Sequence, residues 1–429
     1  MALALVDELP ISKIDQPKIF NIASNGLSSH THGFFKYLCK FIPHVPRWAL
    51  KKYIKTDNQW VLDPFCGSGT TLVESALFGC NAIGVDFDPL SNLIARAKST
   101  PLKKNQIAEL KSRLSDLIIY IEKCRHVDKN LIPPISNFDL WFSRKASDDL
   151  VKIKQGINRF KEESSDSSLI DFLNLCFASI IKRVSNADSQ SPKPYVSRKI
   201  KKIPGDAIDL FKKVALANLE KLENFSSAVV PSKSFVMRGD ARSVDDLVRR
   251  KRLVQYVDLA VTSPPYINAF DYVRSLRLEN LWLDLLAPDE LAQHNQEQIG
   301  TEKITFDPSF ISSMREYSNL YQAFHKIAEK DRRRAYVVMK YFYDMRSNLI
   351  SVKNILKPKG VYCIVVGNSR IRDVEIPTYQ YLIQIAENVG FKLDSLFGYV
   401  IKNPYLRIPR KGRGGLIKVD WVISLRKTN

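Results

Sequence analysis

Short apolar runs alternate with helical-period segments along most of the chain. Trp60-Val-Leu-Asp63, Asn81 to Val85, 233–238, 256–262 and Val361 to Gly367 read as buried strands. Runs this apolar suit strands covered on both faces. Helices are expected over 46–56, 69–79, 89–98, 241–251, 317–330, 341–356 and 377–389, where apolar positions recur at three- and four-residue steps. Pro89 stands at a first helical turn, where its missing N–H is not needed. The stretch Lys357-Pro-Lys-Gly360 stops one helix and turns into the next strand. Strand and helix in alternation predict an α/β sheet.

Two regions break this alternation. Residues 1–29, with Pro10, Pro17 and a serine-rich end, read as a loosely held arm. Residues 100–230 are dominated by helical periodicity, as in Ile107, Leu110, Leu114, Leu117 and Ile118, and again in Leu169 to Val184. Ser185 to Lys202 is rich in Ser, Asp and Lys, and carries Arg198 and Lys199. Residues 287–315 form a polar stretch placed to lid a site, with an aromatic helix before it through Tyr272, Leu276 and Trp282.

Composition narrows the class. A chain of 429 residues with 45% hydrophobic and 26% charged positions is an ordinary globular protein of two to three domain-sized units. It contains no apolar run of membrane length, and its first ten residues lack a basic secretory leader. Six cysteines without C-x-x-C spacing imply neither a zinc site nor a disulfide framework, so a reducing cytoplasm is expected. His30 and His32 have no partner at ligand spacing and read as structural; no metal is expected. The formal charge of +20 points to a polyanionic partner.

Candidate chemistry sits at two strand ends. After Asp63 comes Pro-Phe-Cys-Gly-Ser-Gly-Thr70, a glycine turn opening a helix that Thr70 or Thr71 can cap. No lysine follows Gly69, which excludes a phosphate loop. Leu72 stands where a dinucleotide fingerprint has its third glycine. Gly67 and Gly69 let backbone approach a ligand, and the next strand ends in the carboxylates Asp86 and Asp88, of which Asp86 first and Asp88 as the alternative can accept both hydroxyls of a ribose. An adenosine ligand with a positive centre and no phosphate suits these features, and S-adenosylmethionine is the common one. The second strand end is Thr262-Ser-Pro-Pro-Tyr266. Its prolines fix the backbone and remove two amide donors. Carbonyls and the Ser263 hydroxyl are left to accept from an amino group, beside an aromatic ring.

Asp63-Pro-Phe-Cys-Gly-Ser-Gly-Thr70 together with Thr262-Ser-Pro-Pro-Tyr266 resembles the amino-methylating DNA methyltransferases, over roughly residues 30–100 and 233–427. The resemblance implies a Rossmann-like class I methyltransferase fold. This is a seven-stranded, mostly parallel sheet with a helical insertion, closed by an antiparallel hairpin over 391–401 and 418–425. It divides the chain into an arm (1–29), a first methyltransferase part with the cofactor loop (30–100), a helical insertion suited to target recognition (101–232), and a second part with the catalytic motif (233–429). It implies S-adenosylmethionine as cofactor, held by Phe41, Asp63, Phe65, Gly67, Gly69, Asp86 and Asp240, the last also suited to cap a helix. Ser263, Pro264, Pro265 and Tyr266 become catalytic: the serine hydroxyl and a proline carbonyl accept from the target amine while Tyr266 stacks on a base flipped out of the duplex. Serine before Pro-Pro-Tyr favours cytosine-N4 over adenine-N6. Without a Pro-Cys dipeptide, methylation at cytosine carbon-5 is excluded, and Cys66 reads as a packed residue. The partner implied is double-stranded DNA, with a companion restriction endonuclease possible. Arg198, Lys199, Arg407, Arg410, Lys411 and Arg413 are candidates for phosphate contact. An RNA base methyltransferase and a non-catalytic nucleic-acid binder are the alternatives.

Overall fold

The computed structural model describes residues 5–11, 17–37, 39–188, 191, 193–197, 199, 202–267, 271–402 and 417–428. Its strands are β1 (Leu5–Val6), β2 (Lys18–Ile22), β3 (Trp60–Asp63), β4 (Asn81–Asp86), β5 (Ser234–Arg238), β6 (Val257–Thr262), β7 (Leu356–Gly367), β8 (Ser369–Ile371), β9 (Val374–Ile376), β10 (Phe391–Val400) and β11 (Val419–Lys427). Nine of them form one sheet in the order β1-β2-β10-β11-β7-β6-β3-β4-β5, and β8 and β9 make a separate hairpin. Only β11 runs against its neighbours in that sheet. The seven strands from β10 to β5 are the expected mostly parallel sheet. β1 and β2 extend it beyond the expected seven.

That extension corrects the reading of the arm. Residues Lys18, Ile19 and Phe20 pair with Phe397, Gly398 and Tyr399 of β10. The Phe20 ring meets Phe397 edge-on at 5.8 Å, and the Trp48 indole donates to the Pro10 carbonyl at 2.9 Å. The arm satisfies the open edge of β10, which a sequence pattern of five residues does not announce.

The side chains of the central strands alternate between two cores, as a pleated strand requires. Val361, Cys363 and Val365 pack with Trp48 and Leu50 of the helix His44–Tyr53. Tyr362, Ile364 and Val366 pack with Val338, Phe342 and Leu349 of the helix Arg332–Ile355. Four helices, Lys104–Lys123, Arg144–Glu163, Ser167–Val184 and Ala207–Ala228, account for most of the 101–232 stretch. Leu93 and Ile94 of the helix Pro89–Ser99 share one core with Phe172, Leu173 and Phe211 from these helices. Arg96 and Asp171 pair across the same contact at 2.7 Å. The insertion is therefore packed onto the sheet layer rather than hung from it.

Strand order reverses between β3 and β6, so their carboxyl ends flank the crevice where open α/β sheets bind ligands. Both motifs lie there.

Candidate active site

The glycine turn runs from Asp63 into the helix Thr70–Phe78. Gly67 and Gly69 both have positive φ, 46° and 78°, which side chains disfavour. Their roles differ. Gly67 lines a cleft, and a Cβ there would press on the Tyr37 ring at 3.2 Å. Gly69 is the N-cap and lies against the helix Pro89–Ser99, where a Cβ would stand 3.0 Å from the Cα of Ala95. The Gly69 position is needed for helix packing, and it does not line the cleft. The expected threonine cap is absent as well: no side chain caps this helix, Thr70 lines the cleft, and the Thr71 hydroxyl donates to the Val261 carbonyl at 3.2 Å.

Asp63 is fully buried behind the loop rather than in the cleft. Its Oδ1 accepts from the Thr262 hydroxyl at 2.5 Å and from the Phe65 N–H at 3.2 Å. Burial pushes its carboxyl up to about 6. Asp63 thus ties the turn of the first motif to the residue preceding the second.

Asp86, at the end of β4, faces the cleft. Its two oxygens accept the Gly67 N–H at 2.8 Å and the Asp88 N–H at 2.9 Å, fixing the loop. Burial, with Asp88 alongside, pushes Asp86 up to about 7 in spite of these bonds. Each oxygen keeps a second lone pair for a ligand hydroxyl. Asp88 caps the helix Pro89–Ser99 and also accepts from Asn280 at 3.1 Å.

Phe41, Phe65 and Asp240 line the same cleft. Phe41 serves the core too, at 7% exposure. Asp240 caps the short turn Ala241–Ser243 and is held by the Arg242 guanidinium through both oxygens, at 2.9 and 3.0 Å from Nε. Arg242 also donates to Asp344 at 3.2 Å and to the Glu297 carbonyl at 3.1 Å. It joins the β5 end, the helix Arg332–Ile355 and the segment above the cleft. No motif marks that role in the sequence.

Sequence reasoning also missed Phe87 and His294. The latter belongs to the helix Glu290–Glu297, inside the stretch expected to be a polar lid. His294 is buried and lies flat on Phe87, ring centroids 4.1 Å apart and planes at 14°. Glu297, Gln298 and Ile299 complete that wall. This wall closes one side of the cleft.

In the second motif, Ser263 and Pro265 line the cleft, while Pro264 is buried. The Ser263 hydroxyl donates to the Val365 carbonyl at 3.2 Å, which leaves the oxygen's lone pairs free to accept. The Tyr266 hydroxyl donates to Asp420 at 2.9 Å, a buried carboxyl pushed up to about 6. Tyr266 does not line the cleft, so the structure brings Ser263 and Pro265, not the whole motif, to the cofactor loop.

Among the other candidates, His32 is buried with Nε2 2.9 Å from Glu74, and burial brings its imidazole down to about 4. Cys66 packs with Leu72, Ala82 and Ala95, and burial raises its thiol. Lys199 is exposed. Arg198, Arg407, Arg410, Lys411 and Arg413 lie outside the described residues. No helix among the described residues is long and apolar enough to cross a membrane.

The cleft suits S-adenosylmethionine. The carboxylates Asp86 and Asp240 face it, and Asp86 presents hydroxyl acceptors. Its one lysine, Lys40, donates to the His32 carbonyl at 2.9 Å, and no arginine lines it.

A family model described as DNA methylase, of the N6 and N4 type, matches residues 26–93. The type II methyltransferase M.MvaI of Kocuria varians is 25% identical over 95% of this chain and 91% of its own length. M.AvaI of Nostoc sp. is 23% identical over 91% and 85%. M.MjaII of Methanocaldococcus jannaschii is 38% identical over 28% of this chain and 21% of its own. Two motif loops meeting at one crevice and relatives aligned nearly end to end point the same way: the chain resembles the amino-methylating DNA methyltransferases, which use S-adenosylmethionine.

Proposed function

We propose that this protein is a site-specific DNA methyltransferase acting on the N4 amine of cytosine, as the modification partner of a type II restriction system. The observation that carries the reading is Ser263. Its proton is committed to the Val365 carbonyl, so it faces the cleft as a neutral acceptor beside Pro265. An exocyclic amine donates its two N–H groups to such acceptors, and its lone pair turns out of the ring plane. Bound S-adenosylmethionine supplies an electrophilic methyl group. The chain's own residues do the positioning, which displacement at such a carbon needs more than acid–base help. Asp63 and Thr262 hold the two loops together behind the site. Asp86 fixes the Gly67 turn and takes the ribose. The Tyr266 ring, oriented by its bond to Asp420, stacks on a flipped base.

The type II relatives support the assignment to DNA and to a restriction system. Serine rather than aspartate or asparagine before Pro-Pro-Tyr supports cytosine over adenine. The test is methyl transfer from radiolabelled cofactor to DNA and, separately, to RNA, followed by digestion to nucleosides and mass analysis. N4-methylcytosine is the expected product. N6-methyladenine would move the reading to adenine, and label in RNA alone would overturn it.

A further inference from the structure

The helix Arg332–Ile355 begins at the carboxyl end of the sheet, because its last residue feeds directly into the start of β7. Its first turn borders an open groove of about 470 Å³ lined by Ile304, Phe306, Arg332, Arg333 and Tyr336. Phe306 is 52% exposed, a costly place for a phenyl ring unless something covers it. The ring meets Tyr336 edge-on at 4.1 Å, and the Arg332 guanidinium lies 6.0 Å above it. Arg332 and Arg333 are exposed, and neither carries an ion pair among the described residues. The nearby carboxylates are engaged elsewhere: Glu302 pairs with Arg334 and Asp331 with Arg372, each at 2.6 Å. Arg333 donates only to the Glu302 carbonyl, at 3.0 Å, which leaves its charge uncompensated. The groove lining contains two cations, two aromatic rings and no carboxylate.

We propose that this groove grips the sugar–phosphate backbone of the substrate duplex next to the target base. Arg332 and Arg333 contact phosphates, and Phe306 lies against the sugars. Charge complementarity selects the occupant: two uncompensated guanidiniums beside an exposed ring suit a polyanion with flat, apolar faces. Position agrees. Tyr341, on the same helix, stands 3.9 Å from where a Gly300 Cβ would be, and that point is 3.2 Å from the Tyr266 carbonyl. Arg332 lies nine residues earlier, about 14 Å along the helix, a span over which duplex DNA presents about eight phosphate charges. The groove therefore lies within reach of a duplex that delivers a base to the Ser263 cleft.

The inference rests on DNA being the substrate, and its test is separable from that reading. Binding of the full chain to a fluorescent random-sequence duplex is followed by anisotropy, with S-adenosylhomocysteine present, across a salt series. Arg332→Gln should lower the slope of log affinity against log salt by about 0.9, and the pair Arg332→Gln/Arg333→Gln by about 1.8. Phe306→Ala should weaken binding and leave the slope unchanged. Affinity for S-adenosylhomocysteine and the thermal midpoint should stay at the parent values. If the double variant does not fold, Arg332→Gln alone decides, since that side chain is exposed and makes no hydrogen bond among the described residues. A parent slope in a folded Arg332→Gln protein overturns the proposal. Failure of the parent protein to methylate any DNA would instead overturn the functional reading.

Discussion

Replacing Asp86 by Asn separates the two duties of that carboxylate. In the structure it accepts two backbone N–H groups, from Gly67 and Asp88, and faces the cleft. An amide of the same shape keeps one acceptor oxygen and turns an NH2 toward the other N–H. The cofactor loses a charged acceptor, worth about 1.5–3 kcal/mol, so affinity at the ionised end of the range should fall about 10- to 100-fold. The sign of the pH effect follows from the direction of the shift. Asp86 is pushed up to about 7, so the parent carries the proton below that value and the charge above it. A positive ligand prefers the charged form, and parent affinity should rise about tenfold from about pH 6 to about pH 8. The variant has no proton to lose, so its profile should be flat and should approach the parent's at the acid end. Calorimetry with S-adenosylhomocysteine reads the hydroxyl contact, and competition with S-adenosylmethionine reads the sulfonium preference. Parent affinity in the variant at the alkaline end would refute the ribose assignment. A tenfold pH dependence surviving in the variant would refute the assignment of the titration to Asp86.

Ser263→Ala should leave cofactor affinity unchanged and lower single-turnover methyl transfer up to about tenfold, the worth of one neutral hydrogen bond; an unchanged rate would remove Ser263 from the site. Thr262→Val takes the 2.5 Å donor from buried Asp63 and should cost about 1–3 kcal/mol, read as a lower thermal midpoint. Neutralising Arg407, Arg410, Lys411 and Arg413, which lie outside the described residues, should flatten the salt slope of duplex binding by about 0.9 for each phosphate that is no longer neutralised. A weakening confined to one duplex sequence would make that loop a base reader instead.

The sheet is legible because its strands are continuous apolar runs: β3, β4 and β6 stand within a residue or so of where those runs place them, while β7 starts already at Leu356 and takes in Lys357 to Gly360, which read as a turn. The helix Arg332–Ile355 is half hidden, since its opening Arg-Arg-Arg carries no apolar repeat and only Asp331, accepting from the Arg334 N–H, marks its start. The helices Glu290–Glu297 and Ser309–Ser313 look like loop in the sequence for the same reason: they are short, the first buries only His294 and Asn295, and the second buries none of its residues. At the site, residue types are legible and their facing is not. Gly69 and Gly67 look alike in the sequence, because a close ligand and a close helix both demand the absence of a Cβ. Only the fold shows that Ala95 fills the space at Gly69.

Asp63 carries the wider consequence. It is separated from Thr262 by 199 residues, yet the pair forms a hydrogen bond across the point where strand order reverses. The two motifs are therefore joined structurally in this chain. In the proposed mechanism one loop holds the methyl donor and the other the amine, and displacement requires the two to keep a fixed distance. A pair of strands side by side in one sheet supplies that distance, but the register between β3 and β6 covers only Val61 with Leu259 and Leu62 with Ala260. Beyond Leu62 no ladder bond remains, and Asp63 with Thr262 takes over as the tie. The helical insertion lies between them in sequence and packs against the helix Pro89–Ser99 and against Trp282, downstream of the second motif. The tie between the loops is made through side chains at the strand ends and not through that connection.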